Sequence, residues 1–277
     1  MNGKKTSALY AVLLASTACS ALDKLITIDQ SPPFATISMN ALAKGNGYVT
    51  APGAFFYRAV DNTNVSITVV DSVRNTCGIR PVGGSGPVSV VTDTMPTAAS
   101  PLSAGAFVSL QLSGLVDTLL APSSQSVGYK LPPSQTRPFT PGDVATFAFP
   151  GDPSGFPAAS VSIQTAEAFT LAPVVFAPSG QDVQVNWTPA TSPGSAMNFT
   201  ITYSVGPSST QIYCQFVDDG QAVVPAGFFA TFPNAVAGAQ IQGVDAIRLR
   251  ATLVQPAHST ATVNVISVFE VPTPVSP

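Results

Sequence analysis

The sequence predicts an all-β protein, two β-sandwich modules behind an N-terminal leader. Three observations carry this expectation. Only 9% of the residues are charged, whereas helices draw heavily on Lys, Glu, Arg and Leu. Val, Thr and Ser, with 26 Pro and 21 Gly, make a composition that suits short strands joined by turns. Stretches of period two recur along the chain, separated by clusters of Gly, Pro, Asn and Asp.

The leader comes first. Met1-Asn2-Gly3-Lys4-Lys5 is a short basic start, and Ala8 to Ala15 is an unbroken apolar run. That run has the length of a signal-peptide core and is too short to cross a bilayer. Ser16, Thr17 and Ala18 are small, and Cys19 follows. Residues 1–18 therefore read as a signal peptide. Ordinary cleavage at a small-x-small site would leave Cys19 discarded or free. The segment Ser16-Thr17-Ala18-Cys19, however, resembles the lipobox of bacterial lipoproteins, with Ser16 where an aliphatic residue is usual. The resemblance implies that Cys19 is lipidated, becomes the new N-terminus and makes a membrane the first partner. Each buried lipid CH₂ adds about 0.8 kcal/mol to such an anchor. By the same resemblance, Ser20 in place of Asp favours the outer membrane, on its periplasmic or surface face; free secretion is the alternative. Residues 19–33 read as a tether, ending in the extended, turn-rich Asp29-Gln30-Ser31-Pro32-Pro33.

The first module is expected over 34–170. Ala35 to Met39 alternates weakly, and Gly53 to Val60 is a stronger strand. Asp61 to Asn64 is a turn before Val65 to Val70. Pro81 to Pro87 is a loop, Val88 to Thr92 a short strand and Gly105 to Leu112 another. Leu115 to Leu120 reads as a short helical turn. Tyr129 to Leu131 is brief. Thr140-Pro141-Gly142-Asp143 is a turn feeding Val144 to Phe149, because Pro presets φ and Gly accepts positive φ. Val161 to Ile163 closes the series.

The second module is expected over 171–271. Asp182 to Trp187, Asn198 to Val205, Gln211 to Val217, Gln221 to Val224 and Thr262 to Phe269 all read as strands. Ile247 to Leu253 is another, with Arg248 and Arg250 expected to point outward. Asp218-Asp219-Gly220 reads as a hairpin turn. Phe228, Phe229 and Phe232 lie on a possible helical turn. Strands at this spacing over about 100 residues match an immunoglobulin-sized sandwich. Trp187 and Cys214 echo the Trp and Cys of that fold, but no second cysteine lies within the module, so fibronectin III-like packing is the nearer analogue. Residues 272–277 are an extended tail.

The order Asp182 to Pro189, Tyr213-Cys214-Gln215-Phe216, Asp218-Asp219-Gly220 and Val223 to Ala226, with Thr140 to Asp143 and Phe156-Pro157, is similar to uncharacterised secreted proteins and lipoproteins of myxobacteria and related soil bacteria. The resemblance covers about half of the chain. It implies two sandwich modules and supplies no site.

Little in the sequence carries chemistry. A net charge of −3 offers no basic patch, so nucleic acid is not an expected partner. Nothing else approaches a membrane-spanning helix, and the alternating segments are too few for an outer-membrane barrel. If Cys19 carries lipid, Cys77 and Cys214 remain, either as a disulfide or as two buried thiols, since spacing alone cannot bring their Cα atoms within range. His258 is the one histidine, expected on an exposed loop. No nucleophile elbow accompanies it, and one His with scattered cysteines lacks zinc-ligand spacing. Asp218-Asp219-Gly220 lacks the further acids of a calcium loop. Asp143 and Asp152 read as turn and cap residues rather than an acid–base pair. Gly83 to Gly86 is no phosphate loop. Tyr48, Tyr57, Tyr129, Tyr203 and Tyr213 are expected as core and rim residues rather than a sugar-stacking face. The expectation is therefore no catalytic residue, no metal and no cofactor. The chain reads as a non-enzymatic envelope protein of structural or binding type, its further partner another envelope protein or a glycan. A carbohydrate- or peptidoglycan-binding module is the alternative.

Overall fold

A computed structural model describes residues 32–59, 75–81, 99–120, 128–132, 135–175, 181–205, 208–229 and 240–273. The leader, Cys19, the tether before Pro32, the expected strands Val65 to Val70 and Val88 to Thr92, Gly83 to Gly86 and the end of the tail lie outside them.

The protein is all-β. Its strands are β1 (Phe34–Lys44), β2 (Gly47–Thr50), β3 (Gly53–Ala59), β4 (Thr76–Pro81), β5 (Ala99–Pro101) and β6 (Val108–Leu112). Then come β7 (Leu115–Leu120), β8 (Gly128–Lys130), β9 (Arg137–Phe139), β10 (Val144–Phe149), β11 (Ala159–Gln164) and β12 (Val183–Asn186). The last are β13 (Ser195–Val205), β14 (Ser208–Val217), β15 (Gln221–Val224), β16 (Gln240–Val254) and β17 (Thr262–Thr273). A 3-10 turn at Ala226–Phe228 sits where a helical turn was expected; Phe228 and Phe229 pack against the core from there.

Eleven strands form one large mixed sheet in the order β4-β14-β13-β16-β17-β1-β2-β9, with β3 on β1 and both β5 and β8 on β3. A four-stranded sheet runs β11-β10-β6-β7, and β12 pairs with β15. The segments 34–170 and 171–271 both contribute to the large sheet. β1 runs parallel to β17, from Phe34 opposite Thr262 to Ala41 opposite Phe269, and β4 pairs with β14.

One core joins the three sheets. Phe147 and Phe149 of β10, Val161 and Ile163 of β11, Val183 and Val185 of β12, Val224 of β15 and Val263 and Val265 of β17 are all buried in it. Alternation explains the small sheet: β10 buries Ala145, Phe147 and Phe149 and turns Val144, Thr146 and Ala148 outward. Phe56 is the aromatic centre, edge-on to Phe149 and Phe156 at 4.9 Å each and to Tyr129 at 5.3 Å. The opposite face of the large sheet buries Ala196, Leu249, Ile266 and Val268. β17 is thus covered on both faces, which is why it reads as an almost continuous apolar run.

Two local expectations are corrected. Leu115 to Leu120 is a strand, because Ser113 (φ 50) and Gly114 (φ 75) make a two-residue hairpin loop that returns the chain against β6. Positive φ at both loop residues matches the twist of the flanking strands. Asp218-Asp219-Gly220 does turn the chain, with Gly220 at φ 98. The strands it joins lie in different sheets, however, so it is a crossover and not a hairpin. The Pro141-Gly142 turn is present: Asp143 N–H donates to Thr140 O at 3.2 Å, and Gly142 has φ 88.

Candidate functional site

Among the described residues, a group of charged side chains is buried between β16 and the segments that cross it. Arg248 and Arg250 point into the protein, at 0% and 6% exposure, against the expectation that they face outward. The reason is the apolar set between them: Ile247, Leu249 and Ala251 belong to the cluster on the opposite face. Both faces of β16 are covered, so alternation alone could not say which set meets water.

Arg248 pairs with Asp218. Its Nη2 donates to Asp218 Oδ1 at 2.9 Å, and its Nε lies 2.7 Å from Oδ2, within ion-pair range but off the hydrogen-bond direction. The Asp218 side chain is 2% exposed. Asp218 also accepts from Trp187 Nε1 at 2.8 Å and from Ser195 Oγ at 2.6 Å. The rest of the Arg248 fork donates to backbone carbonyls of Ala168 at 3.1 Å and of Thr188. Its guanidinium lies 5.0 Å from the centre of the Phe169 ring, a favourable place for a desolvated cation. Trp187 in turn stacks on Phe216 at 6.1 Å.

Arg250 reaches the next turn. It donates to Gln164 Oε1 at 3.1 Å and to Ser192 O at 2.6 Å, and stands 3.5 Å from Glu167 Oε1. Glu167 accepts from Thr191 N at 2.8 Å, Thr191 Oγ1 at 2.9 Å and Ser192 N at 3.1 Å. Burial works to raise the Glu167 carboxyl, but the Thr191 and Ser192 donors outweigh it and hold the group below the usual carboxylate range. Burial also lowers Arg250, opposed by the charges of Glu167 and Asp218 and reinforced by that of Arg248. The arrangement fastens residues 164–171 and 187–195 to β16. Both carboxylates are occupied by donors from the chain itself, which suits a structural staple rather than an acid–base pair.

The other expected residues are spread out. Cys77 of β4 and Cys214 of β14 stand opposite each other and form a disulfide, with Cα atoms 4.0 Å apart. Tyr57, Tyr129 and Tyr203 are buried in the body, and Tyr48 and Tyr213 are half-buried, so no tyrosine face is presented. Tyr57 is pushed up to about 12 by burial, which outweighs its Thr36 hydrogen bond. His258 is exposed on the β16–β17 loop at φ 58. Asp152 accepts from Ser154 N and Oγ at 2.9 and 2.8 Å and is lowered by these bonds and one from Ser103. Asp143 lies at the other end of β10 from Asp152, its backbone carbonyl taking the Thr165 N–H. A cleft lined by Leu110, Leu112, Leu115, Arg137 and Pro138 has room for about one water.

Among the described residues, no three His, Cys, Asp or Glu side chains come together as a metal site. No helix there is long and apolar enough to cross a membrane. Comparison with family models, curated proteins and solved structures finds no match to this chain.

The buried cluster was missed in the sequence. The signal for it was weak but present: two arginines two residues apart, interleaved with Ile247, Leu249 and Ala251, in a chain with few charges to pair them.

Proposed function

We propose that this chain is an exported envelope lipoprotein, anchored through Cys19, whose β-body serves a structural or binding role without catalysis. The address rests on the order of Lys4-Lys5, the apolar run 8–15, the small residues 16–18 and Cys19. The observation that carries the non-catalytic part is the state of the buried carboxylates: Asp218 and Glu167 are filled by the chain's own donors. Residues 34–170 and 171–271 enter this reading as two immunoglobulin- or fibronectin III-like β-sandwich modules whose strands pair with each other in one sheet, in keeping with the resemblance to secreted proteins of myxobacteria-like soil bacteria. The test is the intact mass of the protein isolated from its native membrane. A chain starting at Cys19 with added acyl mass is expected. A start elsewhere without lipid would refute the anchor.

A second reading, a glycan or peptidoglycan binder, has one observation in its favour. The described outward side chains of the four-stranded sheet include Ser109, Gln111, Thr146, Ser160 and Ser162 beside the exposed Val116 and Val144, with Thr146 and Ser162 hydroxyls 2.8 Å apart. Hydroxyl and amide groups grouped on one sheet face match the hydrogen-bonding groups of neutral sugars. Purified sacculi should retain the protein and release the Thr146→Val, Ser162→Val variant. No retention of the unmodified protein sinks this reading.

A further inference from the structure

β4 is an edge strand of the large sheet, far from the strands that flank it in sequence. β3 and β5 pair directly, Ala59 opposite Ala99. β4, which lies between them in sequence, docks at the far end of the same sheet, beyond β14. Six strand spacings separate β3 from β4, about 29 Å at about 4.8 Å each.

β4 is held on both faces. On one face Cys77 bonds to Cys214, the residue directly opposite. On the other the Tyr213 ring lies across Gly78, so close that a Cβ there would sit 2.3 Å from its hydroxyl oxygen. β4 packs chiefly against β14 and also meets the 3-10 turn at Ala226–Phe228. Cys214 is buried, whereas Cys77 is only partly so.

We propose that the Cys77–Cys214 disulfide is a redox latch on this edge strand: its reduction frees β4 and opens the outer edge of β14, which then accepts β4 of a second copy of this chain in the same register. The reductant is a dithiol. One of its thiolates attacks Sγ of Cys77, the less buried cysteine; the S–S bond breaks and Cys214 leaves as a thiolate that takes up a proton. The second thiol of the reductant closes on the mixed disulfide, releasing Cys77 and carrying away the reductant as a cyclic disulfide. An unpaired ten-residue strand edge is then a template for pairing. The segment that fits it already exists in every other copy, the condition for exchange of an identical element.

Hydrogen exchange of the full chain, oxidised and after complete reduction and alkylation, tests the release. Amides of β4 and their β14 partners should exchange faster by at least about tenfold, a change well within the typical contribution of one disulfide, while β13, β16 and β17 keep their protection. Reoxidation of a concentrated mixture of ordinary and ¹⁵N-labelled chains tests the exchange. Cross-linked peptides should join a light Cys77 to a heavy Cys214 and the reverse. Unchanged β4 protection after reduction overturns the proposal, as does loss of protection throughout the large sheet, which would make the disulfide a condition of folding. Peptides linked only within one isotope overturn the exchange between copies.

Discussion

At the residue scale, stability turns on Arg248 and Asp218. A buried pair broken from one side leaves an uncompensated charge, which is worse than having neither partner. Asp218→Asn should therefore destabilise the protein by about 3–5 kcal/mol, whereas the double change Asp218→Asn, Arg248→Met should recover much of that loss. Urea titration followed by emission of Trp187, which donates to Asp218 and stacks on Phe216, measures both. Two other carboxylates should show opposite pH signatures. Glu167 is held low, so its bonds stabilise the fold above the unfolded pKa and are lost as pH falls through the folded value. Glu270 is raised, by burial first and then by the charge of Asp245. Its ionisation disfavours the fold, a penalty complete above the folded pKa and absent below the unfolded one. Glu167→Gln should lower the thermal midpoint at pH 7 and Glu270→Gln should raise it, and both differences should shrink below about pH 4. Midpoints that shift alike for the two variants at every pH would contradict these assignments. Little of this was legible beforehand. A strand that alternates Arg with Leu looks half-exposed, and only the coverage of its second face shows that Arg is the inward set.

At the scale of elements, short edge strands are secured by glycines lying under aromatic rings. Gly78 of β4 faces Tyr213 of β14, and Gly128 of β8 faces Phe55 of β3. At Gly128 a Cβ would come within 2.4 Å of the Phe55 ring, and the Lys130 ammonium lies 4.9 Å from the centre of the same ring. An aromatic on the neighbouring strand restores the packing that a strand glycine lacks. Gly78→Ala should then cost about 1–3 kcal/mol through overpacking. The same change made on Tyr213→Ala should cost less, because nothing remains for the methyl to strike. Equal costs in both backgrounds would exclude the clasp. Several strands were readable from period-two alternation, among them β10, β12, β13 and β14. β4, β5 and β9 were not, being rich in Gly, Pro or Cys or only three residues long, with pairing set by distant partners. β7 was misread because Ser113-Gly114 is a weaker hairpin sign than Asn-Gly.

For the whole molecule, the decisive feature is that first and last strands share a sheet. Sequence spacing suggested two units in succession, since local patterns say nothing about which distant strands pair. The pairings of β1 with β17 and of β4 with β14 mean that segment 171–271, expressed alone, would leave one edge of β17 and one edge of β14 without the strand that covers it in the full chain. We expect that fragment to be unfolded by circular dichroism and hydrogen exchange, and the full chain to unfold in one transition seen alike by Trp187 emission and far-ultraviolet signal. A folded fragment, or two separated transitions, would restore the picture of independent units. The Cys77–Cys214 bond closes a loop with a sequence separation of 137, for which the chain-entropy account gives about 5 kcal/mol as an upper figure.

The parallel pairing of β1 and β17 also sets how the body bears mechanical load. Phe34 begins the shared register at one end of the pair, and β17 continues past it to Thr273 at the other. Force applied between the two ends of the chain pulls these strands past each other along their length. The ladder is then loaded in shear, its hydrogen bonds resisting together rather than opening one after another. Stretched from its ends, a single molecule should hold to a high force and yield abruptly. Pulled instead between Ala41 and Phe269, which face each other across the same ladder, it should peel open at a much lower one.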